Sequence, residues 1–313
     1  MSLSKFHTSW NSSTIVLVFL TYNVDQAVRE ESNPATKWSA RAARVASLLR
    51  DSDAWLMNLQ EMRHLDGNPA PESWLANLGS HYKSIVAYRN PTKYSFGQAT
   101  VYDTRYLFPI VTITKWLSDT PDVPSDTFLD AKGATGFGSV VLFIKFAFVS
   151  EGKIITNIPS FWSVNVHFAL DEDVKTKSSH KLVELLDSVC GRERFILSGD
   201  FNLFPDLQGA DQYKILLANG MIDCSSQIHT SQENRRITGT FVGYPHDSFA
   251  AKDPRNPTSA LDKIFVKNYP PEDPSIPSIA ITQTYNNVEP VELSDPWALP
   301  SDHLPLLRQI TFK

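Results

Sequence analysis

The chain has 313 residues, a net charge of −5 at neutral pH and a hydrophobic share of 42%. This length allows a substantial core, and two cysteines in a chain of this size exclude a small disulfide-built scaffold. The acidic balance argues against a protein that binds DNA through a broad basic surface, and it suits a site that collects metal cations.

The first elements are a polar leader and a buried strand. We interpret residues 1–13 as a flexible leader and 14–313 as a single domain. The β-branched and aromatic run 15–22 predicts a strand buried on both faces, which ends at Asn23. Because this run is too short to cross a bilayer and lacks the flanks of a signal peptide, we expect no membrane partner and a cytoplasmic location.

A helix and a second strand are predicted next. Apolar side chains recur at helical spacing over 37–49, which predicts a helix whose arginines, including Arg41, face outward. The run 54–59 predicts a strand that ends at Gln60 and Glu61. It is the second strand in the chain to end on a potential ligand.

The rest of the chain continues as strands and helices without a repeat or a linker. Residues 118–138 are predicted to be a long loop, and 106–117 to be a strand pair or one long strand with Pro109 at the sheet edge. The other predicted strands are 82–88, 98–102, 140–148, 154–155, 162–168, 195–199, 260–266, 279–284 and 304–312, and the other predicted helices are 72–78, 175–189 and 211–218.

Polar side chains stand at the ends of several predicted strands. Asp200 and Asn202 follow the run 195–199, and the two-residue period of an extended chain directs both to one face. Asn165 and His167 share a face in the same way. An ordinary turn would also contain such residues, but their recurrence favours a site. The set is Asn23, Glu61, Asn165, His167, Asp200, Asn202, Asp262, Asp302 and His303.

The chemistry of this set fits metal-assisted hydrolysis of a phosphate ester. Hard oxygen ligands without cysteine suit Mg²⁺ or Mn²⁺. Amides and a histidine can hold phosphate oxygens, and His303 with Asp262 or Asp302 forms an Asp–His pair that can handle a proton. The sequence therefore predicts attack of activated water on a phosphate ester.

Short motifs surround these strand ends in a fixed order: Thr21-Tyr22-Asn23, Gln60-Glu61, Asn165-Val166-His167, Gly199-Asp200-Phe201-Asn202, Leu261-Asp262-Lys263-Ile264-Phe265 and Ser301-Asp302-His303. Together they resemble the endonuclease/exonuclease/phosphatase superfamily, the DNase I-like fold, over about residues 15–312. Trp116-Leu117-Ser118 with Pro121 resembles its generic metal-dependent hydrolase branch. The resemblance implies an α/β four-layer sandwich of two face-to-face mixed β-sheets flanked by helices.

The resemblance also implies a metal-binding half of the site. Glu61 is then the main Mg²⁺ (or Mn²⁺) ligand, with Asn23 and Asp302 nearby. Asp200 positions or deprotonates the attacking water.

The other half of the implied site holds the substrate. Asn202 and His167 contact the scissile phosphate, and Asn165 is expected to bind substrate beside them. His303, oriented by Asp262, contacts phosphate or acts as the base. The sequence leaves open whether the base is this Asp–His pair or the carboxylate that positions the water.

The chain departs from the branch pattern at three places that we expect to line the substrate pocket. These are Phe96-Gly97-Gln98, the strand 139–145, which has no cation before Lys145, and Ala169-Leu170, where the branch usually carries Asp-His. The metal positions are unaffected, so the departures bear on the identity of the substrate.

Three functions are consistent with the sequence. We expect a monomer that hydrolyses a phosphorylated small molecule or a nucleotide. A nuclease or nucleic-acid end-processing enzyme is the first alternative, and a non-catalytic binding member of the fold is the second. Loop cations would favour the nuclease: Arg89, Lys93, Arg235, Arg236, Lys252 and Arg255.

Overall fold

The computed structural model describes most of the chain. The described residues are 15–26, 34–63, 71–90, 96–125, 127–128, 138–203, 211–224, 240–241, 243, 260–267, 280–284 and 300–312. The predicted leader, 1–13, lies outside them, as do the loop cations Lys93, Arg235, Arg236, Lys252 and Arg255.

The described elements are strands and helices in a mixed order. The strands are β1 (Ile15–Asn23), β2 (Leu56–Arg63), β3 (Tyr82–Tyr88), β4 (Phe96–Asp103), β5 (Leu107–Trp116), β6 (Val140–Ser150), β7 (Lys153–Ile154), β8 (Phe161–His167), β9 (Phe195–Asp200), β10 (Ile222–Asp223), β11 (Asp262–Lys267), β12 (Ala280–Thr284) and β13 (Leu306–Phe312). The helices are α1 (Trp38–Asp51), α2 (Pro71–Leu75), α3 (Glu172–Val189) and α4 (Asp211–Ala218), with 3-10 turns at Pro34–Thr36 and Ala76–Leu78.

The strands form two mixed sheets, which confirms the predicted α/β architecture. The first sheet runs β12-β13-β1-β2-β4-β3, and the second runs β10-β11-β9-β8-β6-β5, with β7 paired to β6. Within these described strands each sheet has one parallel pair, β1 with β2 and β8 with β9, and its other pairs are antiparallel. The two parallel pairs face each other across the sandwich.

Aromatic side chains fill much of the space between the sheets. The ring of Phe312 on β13 lies 4.9 Å from Phe148 on β6 and 4.8 Å from Phe161 on β8. Tyr102 on β4 contacts Phe146 on β6, with 5.3 Å between ring centroids. Because these rings are buried from both sides, they remove a large apolar area from water and join the two sheets into one core.

A buried polar contact also joins the sheets. Asn58 on β2 donates to Ser163 Oγ on β8 (3.1 Å) and to Ser198 Oγ on β9 (2.9 Å), and it accepts from Thr100 Oγ1 (2.8 Å). All four side chains are fully buried. A buried network of this kind is favourable only when each member has a hydrogen-bond partner. Because the partners of Asn58 lie on both sheets, the network fixes how the sheets lie against each other.

Helices cover the outer faces. Val45 on α1 packs on the core that contains the first sheet, whereas Leu182 on α3 and Leu216 on α4 pack on the second sheet around Phe265. Helix α3 begins three residues before its predicted start because the side chain of Asp171 accepts hydrogen bonds from the first free N–H groups.

Two further features refine the sequence-based expectations. The stretch 106–117 forms one long strand, β5, and Pro109 lies on the outer edge of the second sheet, where its missing N–H costs no ladder bond. The short β10 has no counterpart in the sequence analysis, since two residues are too few to show a period. No described helix is both long and apolar enough to span a membrane.

Candidate active site

The candidate site lies where the two parallel pairs end. Asn23 is the last residue of β1, and Glu61 lies near the end of β2. His167 and Asp200 end β8 and β9 and are direct neighbours in the parallel register. Since the pairs face each other, their carboxyl ends meet at one edge of the sandwich. Four strands, two from each sheet, therefore each contribute one polar side chain.

Glu61 reaches the site because β2 contains a bulge. The pairing of β2 with β4 shifts between Gln60 and Met62, and Glu61 has a left-handed backbone with φ of 56°. In a flat strand Glu61 would point away from the face that Gln60 shares with the opposite sheet. The bulge turns it back, so that Glu61 Oε1 lies 3.1 Å from Asn23 Nδ2 and 3.9 Å from His167 Nε2.

Asp200 is the central group of the cluster. Its Oδ2 lies 3.0 Å from Asn23 Nδ2, 3.6 Å from His167 Nε2 and 3.7 Å from His303 Nε2. Its Oδ1 accepts a hydrogen bond of 2.8 Å from the backbone N–H of Asn202. One oxygen is therefore fixed by the chain, while the other faces an amide and two imidazoles.

His303 and Asp262 form a buried pair. The Nδ1 atom of His303 lies 2.7 Å from Asp262 Oδ2, and Asp262 is paired with Asp200 in the register of β11 and β9. Burial lowers the pKa of His303, but the charge and hydrogen bond of Asp262, helped by Asp200, outweigh it and raise this pKa well above its usual value. The protonated form of His303 is therefore favoured, with Nε2 lying 3.7 Å from Asp200 Oδ2.

Glu61 and His167 have pKa values shifted towards their neutral forms. Burial and the negative charge of Asp302 raise the pKa of Glu61, against the hydrogen bond from Asn23. Burial lowers the pKa of His167 to about 4, although Asp200 opposes this. His167 is thus neutral at pH 7, and the site holds more negative than positive charge.

Two asparagines of the predicted set have their amides engaged elsewhere. Asn165 is fully buried between the sheets, where Oδ1 accepts from Gln60 Nε2 (2.8 Å) and Nδ2 donates to the carbonyls of Leu59 (3.1 Å) and Ala99 (2.9 Å). The structure does not bring it into the cluster. Asn202 is adjacent to the cluster, but its Nδ2 donates to a backbone carbonyl at 2.8 Å. The substrate-binding roles of both residues stay predictions.

Asp302 lies beside the cluster on the segment that precedes β13. Its Oδ1 lies 3.4 Å from Ser301 Oγ, and its charge acts on Glu61. Ser301 itself donates to the carbonyl of Asn23 at 2.8 Å. This contact ties the C-terminal segment of the site to the end of β1.

The three sequence departures fall in different environments. Val140 to Leu142 are fully buried in the core, so the expectation that this strand lines a pocket is wrong for those residues. A Cβ atom on Gly97 would lie 2.4 Å from the carbonyl oxygen of Ala87, which shows that this glycine is required by strand packing. Leu170 is 55% exposed, three residues after His167. The pocket-lining role of Leu170 stays a prediction.

Sequence reasoning missed two buried cations near the site. Arg41 is fully buried, so the prediction that it faces outward is wrong. Its spacing from Trp38 and Val45 places it on the apolar face of the helix, and that spacing could have indicated burial. Lys175 is also buried and donates to the carbonyl of Asn202 at 2.8 Å. Lys175 shares the buried face of α3 with Ser178 and Leu182, so its spacing could have given the same indication.

The donor set is suited to a hard divalent cation. The ligand atoms of Glu61, His167 and Asp200 lie within 4.8 Å of one another, as do those of Asp200, Asp262 and His303. The first group combines an oxygen of the partly exposed Glu61 with one of the buried Asp200. Carboxylate oxygens of this kind suit Mg²⁺ or Mn²⁺.

Comparisons with known proteins agree with this geometry. Residues 20–303 match the model of a family described as the endonuclease/exonuclease/phosphatase family. An uncharacterized protein of Acanthamoeba polyphaga mimivirus is 28% identical over 226 residues, which are 72% of this chain and 79% of that protein.

Two solved structures have the same fold at low identity. Bacteroides thetaiotaomicron mannosyl-6-phosphatase is 21% identical, with a TM-score of 0.63 over 95% of this chain and 98% of that one. The TDP2 protein of D. rerio, solved with a single-strand DNA product, is 13% identical, with a TM-score of 0.60 over 94% and 98%. The fold is thus found with a sugar phosphatase and with a protein that binds a DNA product.

Proposed function

This chain belongs to the endonuclease/exonuclease/phosphatase family, and we propose that it is a divalent-metal-dependent phosphoesterase. It hydrolyses a phosphate mono- or diester by attack of activated water, and the favoured substrates are phosphorylated small molecules and nucleotides. The observation that carries the proposal is the position of Asp200. One buried carboxylate oxygen faces the amide of Asn23, the neutral His167 and the cationic His303 within 3.0–3.7 Å.

A divalent cation, Mg²⁺ or Mn²⁺, would be held by Glu61 with Asn23 and Asp302 nearby. The fit rests on charge: burial and Asp302 raise the pKa of Glu61, which means that its ionised form lacks compensating positive charge. When bound, the cation supplies positive charge to the phosphoryl oxygens, which is worth several kcal/mol in reactions of this class.

Asp200 is the group that orients the water and accepts its proton. The backbone N–H of Asn202 fixes one carboxylate oxygen and leaves the other facing the site. The new bond forms between the water oxygen and phosphorus as the bond to the leaving oxygen breaks, and solvent protonates the leaving group. His303 is assigned to the phosphate and not to the water, because Asp262 holds its Nδ1 atom and raises its pKa, which favours the protonated form.

His303 and His167 act on the phosphate. The imidazolium of His303, held by Asp262, presents Nε2–H to a phosphoryl oxygen, and a hydrogen bond from a charged group contributes about 1.5–3 kcal/mol. The neutral His167 offers a hydrogen bond without an added charge. Asp262 acts through His303 by holding its tautomer and its charge.

The test is turnover with matched variants. Bis-p-nitrophenyl phosphate, p-nitrophenyl phosphate and a plasmid are incubated with wild type over a titration of Mg²⁺ and of Mn²⁺. Asp200→Asn should lower turnover by about 10²–10⁴-fold. The control is Asp103→Asn, which also removes a buried carboxylate. Asp103 pairs with Arg105 at the end of β4 that lies away from Glu61. This control should keep activity close to that of wild type, because Asp103 touches none of the residues of the cluster.

The results of this test distinguish the three candidate functions. Turnover of the small esters supports the proposal, whereas plasmid nicking that falls steeply with salt supports the nuclease. If wild type turns over none of the three substrates, the result would support the second alternative, a non-catalytic binding protein. Equal activity of Asp200→Asn and wild type would contradict the role assigned to Asp200.

A further inference from the structure

Arg41 connects helix α1 to the site. The side chain is fully buried, yet α1 contributes no residue to the metal and phosphate cluster. A buried guanidinium is costly unless its donors are satisfied. The position of those donors therefore shows what Arg41 holds.

The guanidinium of Arg41 donates to backbone carbonyls of two segments that carry site residues. Nη1 donates to Val24 (3.1 Å) and to Pro300 (2.7 Å), and Nη2 donates to the carbonyl of Asp25. The Asp25 carboxylate lies 3.5 Å from Nη2. Val24 and Asp25 directly follow the last residue of β1, and Pro300 lies two residues before Asp302.

Asp25 connects Arg41 to Asn23 through its backbone. Its φ is +47°, a left-handed conformation that is uncommon outside glycine, and its N–H donates to Asn23 Oδ1 at 3.0 Å. With Oδ1 engaged in this turn, the Nδ2 atom of Asn23 is directed at Glu61 and Asp200. The orientation of the Asn23 amide thus depends on the turn that Arg41 holds.

We propose that Arg41 is a positioning residue that fixes the Asn23 amide and the segment of Asp302 in register with Glu61. Arginine is required because its planar group presents donors in several directions at once. A lysine keeps the charge but carries it at one point, so it cannot hold the carbonyls of Val24, Asp25 and Pro300 together. The inference rests on the proposed function only in assuming that the site binds a metal ion. The positioning of Asn23 by Arg41 concerns the metal-free protein as well.

The first test compares Arg41→Lys with Val45→Ala. Val45 is also fully buried on α1, and its truncation destabilises the core without removing a hydrogen bond to the site. Two readouts are used: hydrogen exchange of the Asp25 amide in metal-free protein, and Mn²⁺ binding followed by electron paramagnetic resonance of the free ion. Neither readout requires turnover, so a failure here is distinct from a failure of the proposed function.

We expect Arg41→Lys to expose the Asp25 amide to exchange and to weaken Mn²⁺ binding by about 10–100-fold, as for other residues that orient ligands. Val45→Ala should leave Mn²⁺ binding within about twofold, because it leaves the ligand set and its orienting contacts in place. The proposal is overturned if Arg41→Lys binds Mn²⁺ as wild type does, or if the two variants lose affinity equally.

A second pair of variants keeps the test valid if Arg41→Lys does not fold. Asp25→Gly and Asp25→Ala remove the same carboxylate, but only glycine adopts positive φ without strain. Asp25→Ala should bind Mn²⁺ at least about fivefold more weakly than Asp25→Gly, which corresponds to about 1 kcal/mol of backbone strain. Equal affinities would show that the turn does not orient Asn23, and the proposal would fail.

Discussion

Gly199 should not tolerate any side chain, and its replacement should damage the site as well as the fold. Gly199 has φ of +150° and lies opposite Val166 in the parallel pair of β8 and β9. A Cβ atom here would lie 1.8 Å from the Val166 carbonyl oxygen, whereas real Cβ atoms essentially never approach closer than 3.0 Å. The two strands must therefore separate by at least 1.2 Å, the difference between these distances.

The next pair in this register is His167 with Asp200. Their side chains are 3.6 Å apart, so a separation of this size removes the contact on which the proposed chemistry depends. A misplacement of about 1 Å can cost about 10²-fold in rate. The steric conflict and the backbone strain together should cost at least about 4 kcal/mol of unfolding free energy, within the range of severe substitutions.

The control is Gly152→Ala. Gly152 also has a positive φ, +75°, but a Cβ atom on it would contact nothing within 4 Å. It should lose only the strain of the left-handed backbone, about 1–2 kcal/mol, and keep wild-type turnover. Urea unfolding and ester hydrolysis measure both quantities. Equal stability losses in Gly199→Ala and Gly152→Ala would refute the steric argument.

Three further predictions concern the charges of the site. Glu61→Gln should weaken Mn²⁺ binding by at least about tenfold in calorimetry, and an unchanged affinity would exclude Glu61 as a main ligand. Asp262→Asn should lower the pKa of His303 in a nuclear magnetic resonance titration and reduce turnover by about 10²-fold; a wild-type titration curve would contradict the pairing. His167 should make the metal-free protein less stable as pH falls from about 6.5 towards 4, because unfolded His167 gains a proton that the folded residue, with a pKa of about 4, does not bind. The His167 contribution is at most about 1.4 kcal/mol per pH unit, and His167→Gln should have the shallower urea-unfolding profile; parallel profiles would contradict the lowered pKa.

The elements of the fold were largely predictable because the strands are strongly patterned. Buried parallel strands such as β1 and β9 are continuous apolar runs, and a polar residue marks where each run leaves the core. The resemblance to the family then implied two face-to-face sheets, and both the family and the two-sheet architecture are confirmed. The generic hydrolase branch stays a prediction.

The local geometry of the site was less predictable because it departs from regular strands. Strict alternation would direct Glu61 away from the site, and only the bulge after Gln60 reverses it. Likewise, β9 ends at Asp200, and Asn202 has φ of +50°. Its side chain therefore does not follow the two-residue period that the sequence analysis assumed.

Depth along a strand, as well as its face, decides what a polar residue does in this fold. Asn165 and His167 share a face of β8, as expected from the two-residue period. Asn165 lies one pleat deeper, where the opposite sheet supplies Gln60 and backbone carbonyls, so its amide joins the two sheets. His167 lies at the edge, where the opposite sheet has ended in Glu61, and it faces carboxylates instead of backbone. A polar residue on an inward face is therefore a candidate for chemistry only in the last pleat, and this criterion selects His167 over Asn165.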